Sequence, residues 1–355
     1  MTTVESLRRN QTAFDYIIVG GGTARCVIAS QLASELPTAS ILLIEGGESD
    51  IGKENLHDLK LQAFGIPRTD SFNKDIMHTG KIAPSAGHLA IAHNPENSYR
   101  SISLTLKSGL PITISFKIPV IADIPGEIKA AVPPQSVIYS DVCFFLRREA
   151  QNSRGDNRDI IDSMFHVFGI RFDDNTARHG YHAPENAYYL IPNLPRPRSR
   201  GRISLQSSDP KVRPAIDFRF LTDPEDYDLK TILFELRAGR KLAATAPFRD
   251  LIKREVAPGP DVQTEEQLID YARKTHGTIF HPCGTTKIGD TAKDNIAVID
   301  PQLHVHRVKK LRVIGASVFP LIPSVNPMLT VYAVAEKGTE MIIKDYASVH
   351  LRPRI

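Results

Sequence analysis

The stretch FDYIIVGGGTARCVIASQLASE, residues 14–35, constrains this chain more than any other. A β-branched and aromatic run meets a glycine triplet, and apolar residues at helical spacing follow. That pattern reads as strand, turn and helix. A second apolar run, SILLIE, ends at Glu45. Two buried strands joined by a helix pair in parallel, because a parallel connection needs a crossover of that length.

The turn carries chemistry. In the pattern G-x-G-x-x-G the first glycine allows the tight turn and the second lets a pyrophosphate approach the backbone. The third lets helix and strand pack closely. Gly20 and Gly22 fill the first two places, and Arg25 stands at the third. The N–H groups at the helix start, around Thr23 and Ala24, are placed to hold phosphates. Glu45, at the next strand end, is placed to accept from a ribose. Arg25 leaves two outcomes open: its stem lies over the turn with its head outward or toward a phosphate, or the turn binds a dinucleotide poorly.

Further along, PITISFKIPVIADIPG alternates like strand broken by prolines. QSVIYSDVCFFLR and DIIDSMFHVFGIRF read as strands of an antiparallel sheet. NLPRPRSRGRISLQSSDP holds turn formers and then a short strand. The segment DPEDYDLKTILFELRAGRKLAATAPF reads as a helix started by Asp223 or Pro224, with Pro247 past its end. TEEQLIDYARKT opens a second helix with a Thr cap. GTIFHPCGTTKIG reads as a Gly-rich loop, KLRVIGAS as a strand, VFPLIPSVNP as a loop and MLTVYAVAEKGTEMIIKDYA as a final helix.

Composition excludes several classes. A net charge of +4 over 355 residues, with no long basic run, gives no reason to expect nucleic acid. The 3 cysteines, far apart, give neither a disulfide framework nor a zinc spacing. No apolar run reaches membrane-spanning length, and MTTVESLRRNQTAF lacks a signal-like core, so a soluble cytoplasmic protein is expected. His304 and His306, two apart, would share a strand face, but no third ligand stands out and no metal is expected. The PRPRSRGR run reads as a solvated turn rather than an anion site. Cys283 reads as a packed small residue rather than a nucleophile.

DYIIVGGGTARCVIASQL…ILLIEGGE resembles the amino end of the glucose–methanol–choline (GMC) flavin oxidoreductases. FHPCGTTKIG…AVIDPQLHVHRVKKLRVIGASVFPLIPSVNPMLTVYAVAEKGTEMI resembles their carboxyl end. FGIPRTDSFN, IPVIADIPG and PRSRGRISLQSSDPKVRPAIDFRFLTDPED are similar to pieces of the substrate-binding part. The resemblance implies an α/β fold: a Rossmann-like FAD-binding domain with an inserted α+β substrate domain on an antiparallel sheet. Residues 1–60 with 281–347 would bind FAD, 61–280 would bind substrate, and 348–355 would be a tail.

It also implies an activity, oxidation of a small-molecule alcohol to aldehyde or ketone by hydride transfer to FAD. A lone histidine is more often structural, but His281, in FHPCGT, matches the family's catalytic histidine. Histidine suits the base because it titrates near neutral pH. Asn326, in SVNP, matches the second active-site position and would orient the hydroxyl. Gly20, Gly22, Thr23, Ala24, Glu45, Ala316, Ser317, Pro327 and Met328 fall at the implied cofactor contacts. The helix starting near Pro327 would aim its positive end at the flavin.

The chain departs from the family pattern in three places besides Arg25. No RGKxLGGSSxxN-like segment stands between Glu48 and Phe64. A second segment, GAxxSPxLLxxSGIG, is absent unless LKSGLP at 106–111 is its tail. Gly315 stands where Asp is common. Two further readings therefore stay open, a truncated non-catalytic remnant and a family-derived lyase or cyclase without net redox. Substrate identity and oligomeric state are not legible.

Overall fold

The computed structural model describes residues 13–44, 110–117, 119–123, 142–148, 161–168, 174–184, 187–209, 212–290 and 292–350. Strand β1 (Tyr16–Val19), helix α1 (Thr23–Glu35) and strand β2 (Ile41–Ile44) form the expected unit. The strands pair in parallel, from Tyr16↔Ile41 to Val19↔Ile44. Helix α1 buries Ala24, Ile28 and Leu32, spaced four apart on one face.

A 9-stranded sheet follows. Its strands are β3 (Leu110–Lys117), β4 (Val120–Asp123), β5 (Val142–Leu146), β6 (Ser163–Phe168), β7 (Ala187–Leu194), β8 (Gly201–Ser204), β9 (Ala215–Asp217), β10 (Arg254–Ala257) and β11 (Gly277–Cys283). Every pairing in it is antiparallel. β7 is its centre: it pairs β3, β4 and β6, and every residue in it is buried.

The helices beside this sheet are α2 (Asp174–Arg178), α3 (Tyr227–Ala243), α4 (Phe248–Leu251) and α5 (Glu265–Thr275). Asp223 starts α3 as expected, its carboxylate accepting from the N–H of Tyr227 at 2.7 Å and of Asp228 at 3.1 Å. Thr264 caps α5 through a reciprocal box with Gln267. A one-turn 3-10 helix (Ala316–Val318) and the long α6 (Met328–His350) complete the chain.

The described residues build two apolar cores. One joins β4, β7, α3 and α5 through Ile121, Tyr189, Leu190, Ile232, Leu236 and Tyr271. The other joins the two ends of the sequence. Ile28 and Leu32 of α1 pack with Leu303, Ile314, Val331, Ala335 and Ile342. Gln31 donates to the Glu336 carboxylate, and the Thr38 and Tyr346 hydroxyls meet at 3.4 Å.

Two expectations need correcting here. KLRVIGAS is not a strand. It contributes one isolated bridge, His304↔Arg312, because turns on either side leave it no partner strand. PRPRSRGR is not a freely solvated turn. The buried Asp228 carboxylate accepts from the N–H of Arg198 at 2.7 Å and of Ser199 at 2.8 Å. The Arg198 guanidinium lies 4.0 Å from the Tyr227 ring centroid and pairs with Glu225.

One group in the first core opposes folding. Glu235 of α3 is fully buried, and neither carboxyl oxygen has a hydrogen-bond partner among the described residues. Burial holds its carboxyl well above the usual range. The Ser163 hydroxyl beside it favours the ionised form weakly but lies outside hydrogen-bonding geometry. A carboxyl raised in the folded state has its full stability below the unfolded value and loses it as pH rises. Glu235→Met should therefore stabilise the fold by about 1–3 kcal/mol at pH 7 and leave it nearly unchanged at pH 4. Urea denaturation at the two pH values checks this.

Candidate active site

His281 sits on an irregular strand. β11 pairs with β3 at Gly277↔Lys117 and Thr278↔Phe116, then again at Pro282↔Ile114 and Cys283↔Thr113. The register shifts between these pairs, and Phe280 takes φ 65°. Residues 277–283 were expected as loop. They form strand because β-branched Thr278 and the buried Ile279 suit a sheet, while the bulge accommodates a proline that cannot donate to the ladder.

The His281 side chain is half-buried, and among the described residues its ring nitrogens have no hydrogen-bond partner. Burial, and secondarily His166, push its pKa down to about 4. At neutral pH the ring is uncharged and keeps a lone pair to accept a proton.

β11 packs against the Ala316–Val318 turn. That turn is held from the segment following His281. The Thr286 N–H donates to the Ser317 carbonyl at 2.9 Å, their hydroxyls meet at 2.7 Å, and the Ile288 N–H donates to the Val318 carbonyl at 2.9 Å. Gly315 takes φ 147°, and a Cβ there would lie 3.9 Å from that of Ala24. The structure thus brings Ala316 and Ser317 to the start of α1, where Gly22, Thr23 and Ala24 stand.

At the glycine turn, Gly20 takes φ 102°, and its N–H donates to the Ile44 carbonyl at 2.6 Å. A Cβ on Gly20 would lie 3.3 Å from Nε and 3.5 Å from Cζ of Arg25. Arg25 therefore folds back over the turn, with its guanidinium close to Gly20. No side chain caps α1, and its first turn holds no acid. Uncapped N–H groups beside a guanidinium suit an anionic diphosphate, so these residues fit the phosphate end of a dinucleotide. Glu45 lies outside the described residues.

At the other end, the Val331 N–H donates to the Pro327 carbonyl at 2.8 Å, so α6 begins where the sequence suggested. Asn326 and Met328 are exposed. Among the described residues no hydrogen bond joins Asn326 to His281. Cys283 is buried, and burial raises its thiol to about 12, so it is no thiolate nucleophile. His304 turns to Asp300, at 3.3 Å, and His306 is exposed in a turn, so the two do not share a strand face. No cluster of metal-ligating side chains occurs among the described residues. None of the described helices is long and apolar enough to cross a membrane.

The sequence reading overlooked His166, on β6. SMFHVF shows an alternating strand, but nothing in it signals the electrostatic influence of His166 on His281.

Residues 197–335 match the family model described as GMC oxidoreductase. It is 41% identical over 216 residues to choline oxidase of Arthrobacter globiformis, covering 61% of this chain and 38% of the relative. It is 36% identical over 155 residues to an alcohol dehydrogenase [acceptor] of Pseudomonas putida, covering 43% of this chain and 27% of the relative. The chain therefore spans well under half the length of these curated relatives.

Two solved structures share its fold. Pyridoxine 4-oxidase from Mesorbium loti gives a TM-score of 0.54 at 21% identity, over 65% of this chain and 43% of that one. An Aspergillus oryzae formate oxidase variant, examined for FAD modification, gives 0.56 at 21% identity, over 68% and 48%. That formate oxidase carries FAD, and the Pseudomonas putida relative is named for action on alcohols.

Proposed function

We propose that this chain holds FAD and oxidises a small-molecule alcohol to an aldehyde or ketone. The observation that carries the reading is His281, a half-buried neutral imidazole with no hydrogen-bond partner among the described residues, on a strand packed against the Ala316–Val318 turn. Residues 1–60 with 281–347 act as the FAD-binding domain and 61–280 as the substrate-binding domain. The two separate cores support that division. Residues 348–355 form the tail, although α6 runs to His350.

Gly20, Gly22, Thr23, Ala24 and Arg25 hold the diphosphate, and Glu45 accepts from the ribose. Ala316, Ser317, Pro327 and Met328 line the flavin end. A bound flavin supplies the hydride acceptor. His281 takes the hydroxyl proton on a ring nitrogen as the carbinol hydrogen leaves with its electron pair, and Asn326 orients the oxygen.

An absorption spectrum of the purified protein, before and after added FAD, tests this reading. Two flavin bands that persist through gel filtration are expected. Arg25→Gly should weaken FAD retention about tenfold if the guanidinium holds phosphate, since a charge-assisted hydrogen bond contributes about 1.5–3 kcal/mol. Unchanged retention assigns Arg25 to packing alone.

A second reading also has an observation behind it. Ile17, Val19 and Leu43 of the small parallel sheet are 59%, 48% and 43% exposed. A shortened member that no longer retains FAD would leave that face open. Such a protein is colourless and takes up no added FAD.

A further inference from the structure

We propose that the outward face of α3 is a docking surface for an acidic amphipathic helix of a partner protein. The inference goes beyond the reading of His281 and FAD and does not depend on it.

Helical spacing lays out the surface. α3 turns Ile232, Glu235, Leu236 and Gly239 into the fold. Its opposite stripe carries Lys230, Phe234, Arg237 and Lys241, at steps of four, three and four, so all of them share one face. Lys230, Arg237 and Lys241 are exposed, and Phe234 is half-buried. The stripe lines an open groove of about 430 Å³, to which Arg148, just past β5, and Glu265, at the start of α5, also contribute.

Charge selects the sign of the partner. Four cations and one carboxylate line the groove, so it attracts negative charge. Its middle is neutralised, because Arg237 pairs with Glu265 at 2.5 Å, beside apolar Leu233, Phe234 and Ala238. Two cationic ends remain. At one, the Lys230 ammonium donates to the Glu225 carbonyl at 2.9 Å and keeps two further N–H donors. Arg148 stands at the same end, its guanidinium 5.0 Å from the Tyr227 ring centroid. At the other end, the Lys241 ammonium has no hydrogen bond or ion pair among the described residues.

Spacing selects a helix. Lys230 and Lys241 stand three turns apart, about 16 Å along the axis of α3. One small anion does not reach both. A bilayer is flat, whereas a groove walled by side chains from three segments receives a rod. A helix laid along α3 presents carboxylates three turns apart to the two ends and apolar side chains to the middle. A second copy of this chain would bring the same excess of positive charge, which opposes pairing.

The test uses the full chain and three synthetic helical peptides, read by fluorescence anisotropy. The first carries two Glu residues three turns apart on one face, with two Leu residues between them. The second has Lys in place of Glu. The third keeps the composition of the first but moves both Glu residues to the opposite face. The first should bind tighter than the second by about tenfold or more, and tighter than the third by about fivefold. The double variant Lys230→Glu, Lys241→Glu should reverse the order and bind the second peptide best, a gain that only a folded chain can show. Equal binding of the first and third peptides, or no reversal in the double variant, overturns the proposal. Failure of the native chain to bind the first peptide overturns it too. If that chain instead cosediments with phosphatidylserine vesicles or self-associates, and the double variant does not, the face belongs to a membrane or to a second copy.

Discussion

Replacing His281 by alanine lowers kcat for alcohol oxidation by about 100- to 10,000-fold, the usual contribution of a positioned general base, while leaving FAD binding and the melting profile nearly intact. Stopped-flow flavin reduction measures it. The native pH profile should carry the same residue's imprint. Burial lowers His281 to about 4, so the ring is the neutral, proton-accepting form across the physiological range. kcat/KM should rise as pH passes about 4 and then stay level through pH 7. A profile rising instead near the ordinary histidine value would place the working base elsewhere. The same depression makes His281 an acid liability. The unfolded chain takes up its proton below about 6.5 and the folded one only near 4, so stability falls as pH drops through that window.

Arg240→Ala gives the largest expected change in stability. In α3 the Arg240 guanidinium donates from Nε to Glu255 at 2.9 Å, from Nη1 to the Val262 carbonyl at 2.7 Å and from Nη2 to the Gly259 carbonyl at 2.8 Å. The pair is mostly shielded from water, with side-chain exposures of 20% and 25%. Truncation leaves a half-buried carboxylate and the Val262 carbonyl without this donor, and the Gly259 carbonyl with only the Val262 N–H at 3.2 Å, at a cost of about 3–5 kcal/mol. For a chain of this length that lowers the melting midpoint by roughly 4–7 °C. Arg240→Lys should recover only part of it, because one ammonium cannot span the carboxylate and both carbonyls. Scanning calorimetry of the two variants separates the contributions.

Elements were legible where periodicity was strong and local. β1–α1–β2, α3, α5 and α6 each announce themselves through apolar spacing and end signals, and the structure places them within a few residues of the reading. β7, the middle of the large sheet, went unread. Pro192 and Asn193 interrupt its apolar run, and burial on both faces removes the alternation that marks a strand. The Asn193 amide is accommodated by donating to the Met164 carbonyl at 2.8 Å, a contact visible only in three dimensions. β11 was hidden by its bulge, since irregular register erases a two-residue period. At the site, the glycine turn, His281 and Asn326 stood out through short motifs. His166 did not, because its electrostatic influence on His281 arises only in three dimensions and no short motif carries it.

The joining of α1 to α6 sets the order in which this chain can mature on a ribosome. Gln31 and Glu336 stand 305 residues apart, as do Thr38 and Tyr346 at 308. Helix α1 is made about 300 residues before the helix that covers its apolar face. Over that interval Ile28 and Leu32 lack the partner that covers them, while the antiparallel sheet and its helices, complete by residue 283, are free to condense. The waiting β-α-β unit is a natural client for a holdase, and loss of α6 would leave a folded sheet beside an uncovered, aggregation-prone β-α-β unit.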